Sequence, residues 1–453
     1  MFALPRRLWL VLVLTLLPGL VVAQPQPRRP GPPPGEKWVA VWAASAHGPY
    51  PVGNATAQPE LKFAFPSPDT GANDQTFRLI VRPDLWGQRF RLRFSNAFGT
   101  QPVTFDGVHL GVQATAGAVV RGTNRPVTFA GKKEITVEPG KTAYSDPVGL
   151  DFVRTAPDAA LSGRKLAASF HVVGKSGKMT WHAKALQTSY VGPPGGGAHG
   201  HEESDGALPF STTAWYFLDA VELLAPADTV VVAAFGDSIT DGTASTLNGD
   251  DRYPDVLSRR LHAVYRGRIA VVNAGIGGNQ VVGPAKYTPA EPYAGGPASS
   301  ERLERDVLSL AGVTHVIWME GINDLARNSG GAAPVIAGLK DGVARLRAKK
   351  IKVIGGTLTT ALGSASAIHG SPEVDKERRE INDFIRAAGS FDGVVDFDAA
   401  TLDTASGGLK PEYQPNSTVG GPGDKLHPNR AGYTAMANAV DPALFAPARR
   451  DRK

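Results

Sequence analysis

One stretch just past the middle of the chain limits the possible folds most. Residues Val230–Phe235 form an unbroken apolar run, followed at once by Gly236, Asp237 and Ser238. Such a run, ended by a turn signal, is typical of a parallel strand that is buried on both faces. The strand would deliver Ser238 to the carboxyl edge of an open sheet, where ligands bind, and a helix beginning there would direct free N–H groups toward the serine. The simpler interpretation is that Asp237 or Ser238 only caps that helix.

After Pro226 the sequence alternates between strand and helix patterns. This alternation predicts an α/β fold over residues 226–448, with a doubly wound parallel sheet of the flavodoxin-like kind. The expected strands are Val230–Phe235, Ile269–Val272, Val313–Met319, Ile351–Thr357 and Val394–Phe397, and the expected helices are Arg252–Tyr265, Arg302–Leu310, Pro334–Lys349, Glu373–Ala388 and Arg430–Ala439.

Before Pro226 the pattern is that of an all-β domain. Short strands are separated by Gly, Pro, Asn and Asp, and no long amphipathic helix intervenes, which predicts a β-sandwich of jelly-roll type over residues 37–225. The expected strands are Trp38–Trp42, Thr76–Arg82, Arg89–Phe94, Val108–Val112, Glu134–Val137, Leu166–Val173, Leu186–Val191 and Trp215–Val221.

Two of these strands alternate between apolar residues and arginines. A period of two predicts one buried face and one face in water. The arginines expected on the solvent face are Arg78, Arg82, Arg89, Arg91 and Arg93.

The sequences at both ends of the chain indicate segments that lie outside the two predicted domains. Met1–Ala23 contains two arginines, an apolar stretch and a small-residue cleavage site, which predicts a secretory signal peptide, with an uncleaved anchor helix as the alternative. The apolar stretch is short for a membrane span. Residues 24–36 are a Pro-rich linker and residues 449–453 a basic tail. We therefore expect a secreted or periplasmic protein with no transmembrane segment in the mature chain.

Composition excludes several classes of function. The chain contains no cysteine, which rules out disulfides, thiolate zinc sites and cysteine nucleophiles. The net charge of +6 resides in the leader, the linker and the tail, so the folded body is close to neutral. Nothing in this charge distribution indicates a nucleic-acid partner.

Four short motifs carry candidate chemistry. They are Gly236-Asp237-Ser238, N-A-G-I-G-G at 273–278, G-I-N-D at 321–324 and D-K-L-H at 424–427. The first three follow expected strands, so one rim of the sheet should bring Ser238, Gly278 and Asn323 together. A serine hydroxyl becomes a nucleophile only when a base removes its proton, and His427 is the candidate base. Asp424 can turn back to that imidazole and fix its tautomer.

In this order and context, the four motifs resemble the SGNH hydrolase superfamily, also called GDSL esterases, from about residue 229 to residue 440. The resemblance implies a carboxylic ester hydrolase with Ser238, His427 and Asp424 as catalytic residues. It also implies an oxyanion hole made of the Ser238 N–H, the Gly278 N–H and the Asn323 side-chain amide, with no cofactor and no metal. With its β domain, the chain is similar to secreted bacterial two-domain GDSL esterases.

Several of these residues have simpler interpretations. His427 precedes Pro428 and could begin a helix, and Asn323 could order a turn. Asp396 and Asp398 are rival acids for the histidine.

Other candidates receive smaller roles. Asp237 is expected to hold the turn, and Asp241 to start a helix or to support the site from behind. His199 and His201, in the glycine-rich loop 192–206, could bind a metal. A dinucleotide-binding G-x-G-x-x-G loop is excluded because Gln280 occupies the position of the third glycine. The sequence contains no G-x-S-x-G motif, which disfavours the nucleophile elbow of an α/β-hydrolase.

The expected function is a secreted serine esterase that removes short acyl groups, above all acetyl, from carbohydrate. The loops 283–299, 327–333 and 404–423 are polar or rich in Gly and Pro, which offers little for an apolar acyl groove. The alternatives are a lipase or lysophospholipase-type acylhydrolase and, in a different class, a catalytically silent carbohydrate-binding protein. The partner is then an acylated small molecule or polysaccharide, and the oligomeric state stays open. The tryptophans expected mainly in the β-domain core, rather than stacked on sugars, are Trp38, Trp42, Trp86, Trp181 and Trp215.

Overall fold

The structure is a computed structural model, and it describes residues 31–154, 159–288, 290–327 and 330–447. The predicted signal peptide, most of the Pro-rich linker and the basic tail lie outside these residues. In the described part, no helix has the length and apolar character needed to cross a membrane.

The N-terminal part consists of short strands joined by turns, as the punctuation of its sequence predicts. The strands are β1 (Glu36–Ala43), β2 (Gly48–Pro49), β3 (Asn73–Val81), β4 (Arg89–Ser95), β5 (Val103–Val112), β6 (Arg125–Pro126), β7 (Ile135–Val137), β8 (Thr142–Tyr144), β9 (Val148–Gly149), β10 (Leu166–Lys175), β11 (Thr180–His182), β12 (Ser189–Val191), β13 (Phe210–Thr212), β14 (Trp215–Tyr216) and β15 (Leu218–Pro226).

These strands form antiparallel sheets with an aromatic core between them. One sheet has the order β1-β15-β4-β8, with β9 also on β4, and a second has the order β13-β12-β3-β10-β5-β6, with β7 also on β5. A small third sheet has the order β14-β11-β2. Phe94 of β4 meets Phe105 of β5 and Phe170 of β10, with ring centroids 4.9 and 5.3 Å apart. The N-terminal part is thus β-rich, and the narrower assignment as a β-sandwich stays a prediction.

The tryptophans of this part are mostly core residues. Trp42, Trp86, Trp181 and Trp215 are buried, which confirms the prediction for these four. Trp38 is half-buried and stacks on the Arg91 guanidinium, 4.4 Å from the ring centroid.

The expectation that the arginines of the two alternating strands face water is wrong for Arg78 and Arg93, and it holds only in small part for Arg82 and Arg91, whose side chains are 15% and 20% exposed. Arg78 is fully buried because the loop before β13 covers it, and its guanidinium donates to the Ser204 carbonyl at 2.9 Å. Arg93 is buried because the C-terminal part packs over it. It pairs with Asp219 at 2.6 Å and donates to Ser309 Oγ at 2.8 Å. The outer face of each sheet is therefore covered where these arginines lie.

The C-terminal part alternates strands and helices. The strands are β16 (Val230–Gly236), β17 (Ile269–Gly275), β18 (Val313–Met319), β19 (Lys352–Gly356) and β20 (Gly393–Val395), and the helices are α1 (Ser238–Asp241), α2 (Tyr253–Tyr265), α3 (Ser299–Leu303), α4 (Ile322–Ala326), α5 (Ala332–Ala348), α6 (Pro372–Arg386), α7 (Phe397–Thr401) and α8 (Arg430–Ala439).

The five strands form one parallel sheet with the order β17-β16-β18-β19-β20. This is the order of a flavodoxin-like doubly wound sheet, which confirms the predicted α/β fold. β16 lies in the middle, and it is buried along its whole length.

Several predicted boundaries differ from the structure. The strand expected at Trp215–Val221 is two strands, because Phe217 has a positive φ of 58° that interrupts the extended backbone. The strand expected to end at Phe397 stops at Val395, because Asp396 accepts the Ala399 N–H and caps α7. The helix expected at Arg302–Leu310 is α3 followed by a π-helical turn at Glu304–Leu308.

Candidate active site

A chain of hydrogen bonds between three side chains forms the centre of the candidate site. The Oγ of Ser238 lies 2.8 Å from Nε2 of His427, and Nδ1 of His427 lies 2.6 Å from Oδ2 of Asp424. When Nδ1 carries the proton that is donated to the carboxylate, Nε2 is left to accept the serine O–H. The structure therefore brings together the three residues that were predicted to be catalytic.

The sheet places Ser238 at the middle of its carboxyl rim. β16 ends at Gly236, which pairs in register with Gly275 of β17 and Met319 of β18. Asp237 then caps α1, since its Oδ1 accepts the Ile239 N–H at 3.0 Å. This cap is the structural role that was expected for Asp237.

Asp424 is held in place by the loop that it belongs to. Its Oδ1 accepts the backbone N–H groups of Leu426 and His427 at 3.0 and 2.9 Å, while Oδ2 faces the imidazole. Burial alone would raise the pKa of Asp424. The hydrogen bond from His427, the charge of that ring and the two backbone donors outweigh burial and hold the pKa well below its usual range. The carboxylate is therefore ionised at neutral pH.

Three possible oxyanion donors lie on the same rim. Within the described residues, neither the Ser238 N–H nor the Gly278 N–H has a hydrogen-bond acceptor. The Asn323 Nδ2 donates one N–H to the Asn279 carbonyl at 3.0 Å, which leaves its second N–H. The arrangement matches the predicted set of donors, although their role in catalysis stays a prediction.

His369 is a site residue that sequence reasoning missed. Its Nε2 lies 3.1 Å from Oδ1 of Asn323, and its Nδ1 lies 2.7 Å from Oγ of Ser366. Burial, with the nearby charges of His427 and Arg327, lowers the pKa of His369 to about 4, so the ring is neutral at pH 7. A neutral ring with its proton on Nε2 donates to Asn323 Oδ1, which turns the amide N–H groups the other way.

The N-terminal part also reaches this rim, which no motif had indicated. Asn54 Nδ2 donates to the Gly277 carbonyl at 2.7 Å, and the buried Lys184 donates to Thr243 Oγ1 at 2.5 Å. Asp241 supports the same turn from behind, because its Oδ2 accepts the Gly277 N–H at 2.9 Å. Asn54 and Lys184 lie far from the four motifs in sequence, and only the packing of the two parts brings them here.

The rival acids are engaged elsewhere. Asp396 caps α7 and pairs with Arg386 at 2.9 Å, and Asp398 pairs with Arg378 at 2.8 Å. Because Asp424 is the carboxylate bonded to His427, neither rival is needed as its partner.

His199 of the glycine-rich loop has ordinary hydrogen-bond partners. His199 lies 2.7 Å from Glu202 Oε1 and 2.8 Å from the Gly196 carbonyl. Within the described residues, no group of three or more His, Cys, Asp or Glu side chains is arranged to hold a metal ion.

Asp237 gives a prediction on pH and stability. Burial, followed by the charge of Glu320, raises the pKa of Asp237 from 3.8 to about 8. Between these values the folded protein keeps a proton that the unfolded chain releases, so this contribution to stability is complete below about pH 4 and is lost as the pH rises through 8. Asp237→Asn retains the cap and removes the titration. Thermal melts from pH 5 to 9 should therefore show a smaller fall in Tm for the variant than for the wild type.

The matched control for this prediction is Asp383→Asn, because the Asp383 side chain is 81% exposed. Its Tm should follow that of the wild type at every pH. Equal pH slopes for Asp237→Asn and the wild type would contradict the buried titration.

Comparison with known proteins agrees with this fold and these motifs. Residues 234–435 match the model of the GDSL-like lipase/acylhydrolase family. No curated protein is similar enough in sequence to count as a match.

Solved structures similar to part of this chain include two G-D-S-L proteins and a carbohydrate acetylesterase family member. A GDSL-like lipase from Bacteroides thetaiotaomicron is 18% identical, with 48% of this chain and 88% of that one covered and a TM-score of 0.33. A member of the lipolytic protein G-D-S-L family from Veillonella parvula is 22% identical, with 47% and 96% covered and a TM-score of 0.32. A carbohydrate acetylesterase family member from Sinorhizobium meliloti is 16% identical, with 48% and 97% covered and a TM-score of 0.34.

A flavodoxin-like sheet that carries the four motifs defines a domain of the SGNH superfamily. The C-terminal part of this chain is accordingly a GDSL-like lipase/acylhydrolase domain, and the protein is a carboxylic ester hydrolase.

Proposed function

We propose that the protein is a serine esterase that forms an acyl-enzyme at Ser238. The observation that carries this proposal is the unbroken chain of hydrogen bonds from Ser238 Oγ through His427 to Asp424. As Oγ attacks the ester carbonyl carbon, Nε2 of His427 takes its proton, and the ionised Asp424 stabilises the imidazolium that forms.

The remaining steps use the same groups. The carbonyl oxygen becomes an oxyanion, to which Ser238 N–H, Gly278 N–H and the Asn323 amide donate. The tetrahedral intermediate collapses, the bond to the alcohol oxygen breaks, and the alcohol leaves with the proton from His427. Water then attacks the acyl carbon and gives its proton to His427. The second collapse releases the carboxylic acid and restores the Ser238 hydroxyl.

We propose short acyl groups, above all acetyl, on a carbohydrate alcohol as the substrate. The supporting observation is the polar character of the groups around Gly278. Asn54 reaches the neighbouring carbonyl, the Tyr293 hydroxyl donates to the Gly278 carbonyl at 3.2 Å, and the Arg327 guanidinium lies 5.1 Å from the Tyr293 ring centroid. A long acyl chain gains about 0.8 kcal/mol per buried CH₂ only along a continuous apolar surface.

The test of this proposal is hydrolysis of p-nitrophenyl esters from acetate to palmitate. We expect kcat/KM to be highest for two to four carbons and acetate to be released from an acetylated polysaccharide. A maximum at eight carbons or longer would replace this substrate with that of a lipase-type acylhydrolase. Failure of a fluorophosphonate to label Ser238 would favour the catalytically silent binding protein.

We also propose that the protein is exported, on the basis of the Met1–Ala23 sequence alone. Amino-terminal sequencing of the protein recovered outside the cytoplasm should begin near residue 24. A start at Met1 would contradict cleavage.

A prediction on the oxyanion donors follows from the contact between His369 and Asn323. Asn323→Ala should lower kcat about 10²–10³-fold with a smaller effect on KM. His369→Ala should lower kcat about 10-fold, because the amide is no longer held by that hydrogen bond. In the Asn323→Ala background the same His369 change should have almost no further effect. Additive losses in this double-mutant cycle would mean that His369 does not act through Asn323.

A further inference from the structure

One hydrogen bond joins the N-terminal part of the chain to the turn that carries Gly278. We propose that Asn54 is a positioning residue that sets the direction of the Gly278 N–H, so that the β-rich part completes the active site. The inference rests on the proposed function, because it concerns a donor that acts on the oxyanion.

The hydrogen bond that closes the turn does not fix the direction of the Gly278 N–H. The Asn279 N–H donates to the Ile276 carbonyl at 3.1 Å, and Gly278, at the third position of this turn, has a φ of +82°. A positive φ at this position belongs to a type II turn, and a type I turn has the same ends with the central peptide facing the opposite way. Because glycine lies on both sides of that peptide, a flip meets little steric resistance.

Asn54 supplies the missing restraint. The Gly277 carbonyl and the Gly278 N–H belong to one planar trans peptide, so they point in opposite directions. The bond of 2.7 Å from Asn54 Nδ2 holds the carbonyl on the Asn54 side and thereby directs the N–H away from it. A flipped peptide would lose this bond and present a carbonyl oxygen where the developing oxyanion needs a donor.

The segment that carries Asn54 is fixed to the N-terminal part on both sides. Two residues before Asn54, the Val52 carbonyl accepts the Trp181 Nε1–H at 2.9 Å. Two residues after it, the Thr56 carbonyl lies 3.3 Å from Thr213 Oγ1. Asn54 itself is exposed, so it spans from an anchored loop to the catalytic rim without being part of a core.

Side chains of the N-terminal part lie close to the turn at both glycines. A Cβ at Gly278 would lie 2.6 Å from Asn54 Nδ2, and a Cβ at Gly277 would lie 2.8 Å from Lys184 Nζ. The side chains of Asn54 and Lys184 thus lie directly against the turn, while Asp241 accepts the Gly277 N–H from the other side. This packing differs from that of a binding module attached at a distance from the reaction centre.

The test compares Asn54→Ala and Asn54→Asp with the wild type. Aspartate has the shape of asparagine but offers no N–H at neutral pH, so both variants should lower kcat about 10–100-fold with KM changed less than about threefold. The control is Glu60→Gln, a 65% exposed side chain on the same segment, which should leave kcat unchanged. Thermal melts should show all three variants folded.

A boronic acid that forms a tetrahedral adduct with Ser238 provides the second readout. Its inhibition constant should rise in both Asn54 variants by the same factor as kcat/KM falls, because adduct and transition state use the same donor. Full activity in Asn54→Asp, or an unchanged boronate affinity, would overturn the inference while leaving the esterase proposal intact. Activity that survives in Ser238→Ala would overturn the proposed function, and the inference with it.

Discussion

Replacing Ser238 by alanine is expected to remove ester hydrolysis, with kcat falling on the order of 10⁶-fold. Without the hydroxyl no acyl-enzyme can form, so fluorophosphonate labelling should disappear as well. The Tm should stay close to that of the wild type, because the structure gives Ser238 Oγ one hydrogen-bond partner, His427 Nε2. Initial rates with p-nitrophenyl acetate and thermal melts measure both effects.

The matched control is Ser245→Ala, a change at another buried serine shortly after α1. Its Oγ makes no hydrogen bond within the described residues, so removal of this hydroxyl should leave activity and Tm almost unchanged. If Ser238→Ala retains turnover near that of the control, the nucleophile is a different group.

The α/β fold and the positions of Ser238, Gly278 and Asn323 on one rim were predictable from sequence because both rest on local patterns. Apolar runs that end in Gly-Asp-Ser, Asn-Ala-Gly and Gly-Ile-Asn mark three strand ends, and adjacent parallel strands bring their carboxyl ends together. Asp424 and His427 are three residues apart, so their contact depends on one loop. The contact between Ser238 and His427 spans 189 residues, and it was expected from the resemblance of the four motifs to the SGNH superfamily rather than from a local pattern.

The residues that were missed depend on distant packing. His369 touches Asn323 across 46 residues, and Asn54 reaches Gly277 across 223. Neither belongs to a motif, and a histidine or asparagine in a loop has many ordinary functions. Their positions follow from how the two parts of the chain meet.

The error at Arg78 and Arg93 has the same origin. A period of two shows that a strand has two different faces, but it does not show whether a later loop or another domain covers the polar one. Both arginines are buried because such segments supply acceptors for the guanidinium. Alternation therefore predicted the strands correctly and the exposure of these side chains wrongly.

Asp424→Asn is expected to lower kcat about 10⁴-fold with little change in KM. An asparagine amide accepts the imidazole N–H poorly when its NH₂ group faces the ring, and it carries no charge to stabilise the imidazolium. Since hydrogen bonds hold the pKa of Asp424 well below its usual range, the wild-type carboxylate stays ionised in mild acid. Protonation of Asp424 should therefore not limit wild-type activity in mild acid.

The lowered pKa also predicts how the stability of this variant depends on pH. A carboxylate with a depressed folded-state pKa stabilises the fold above its ordinary value of 3.8, and this contribution is lost as the pH falls below that value. The Tm difference between wild type and Asp424→Asn should therefore be largest near neutral pH and shrink below about pH 4.

The control for the loss of kcat in Asp424→Asn is Asp403→Asn, on the exposed loop before the D-K-L-H motif, which should keep wild-type kcat. Retention of more than about a tenth of wild-type kcat in Asp424→Asn would mean that another group orients His427.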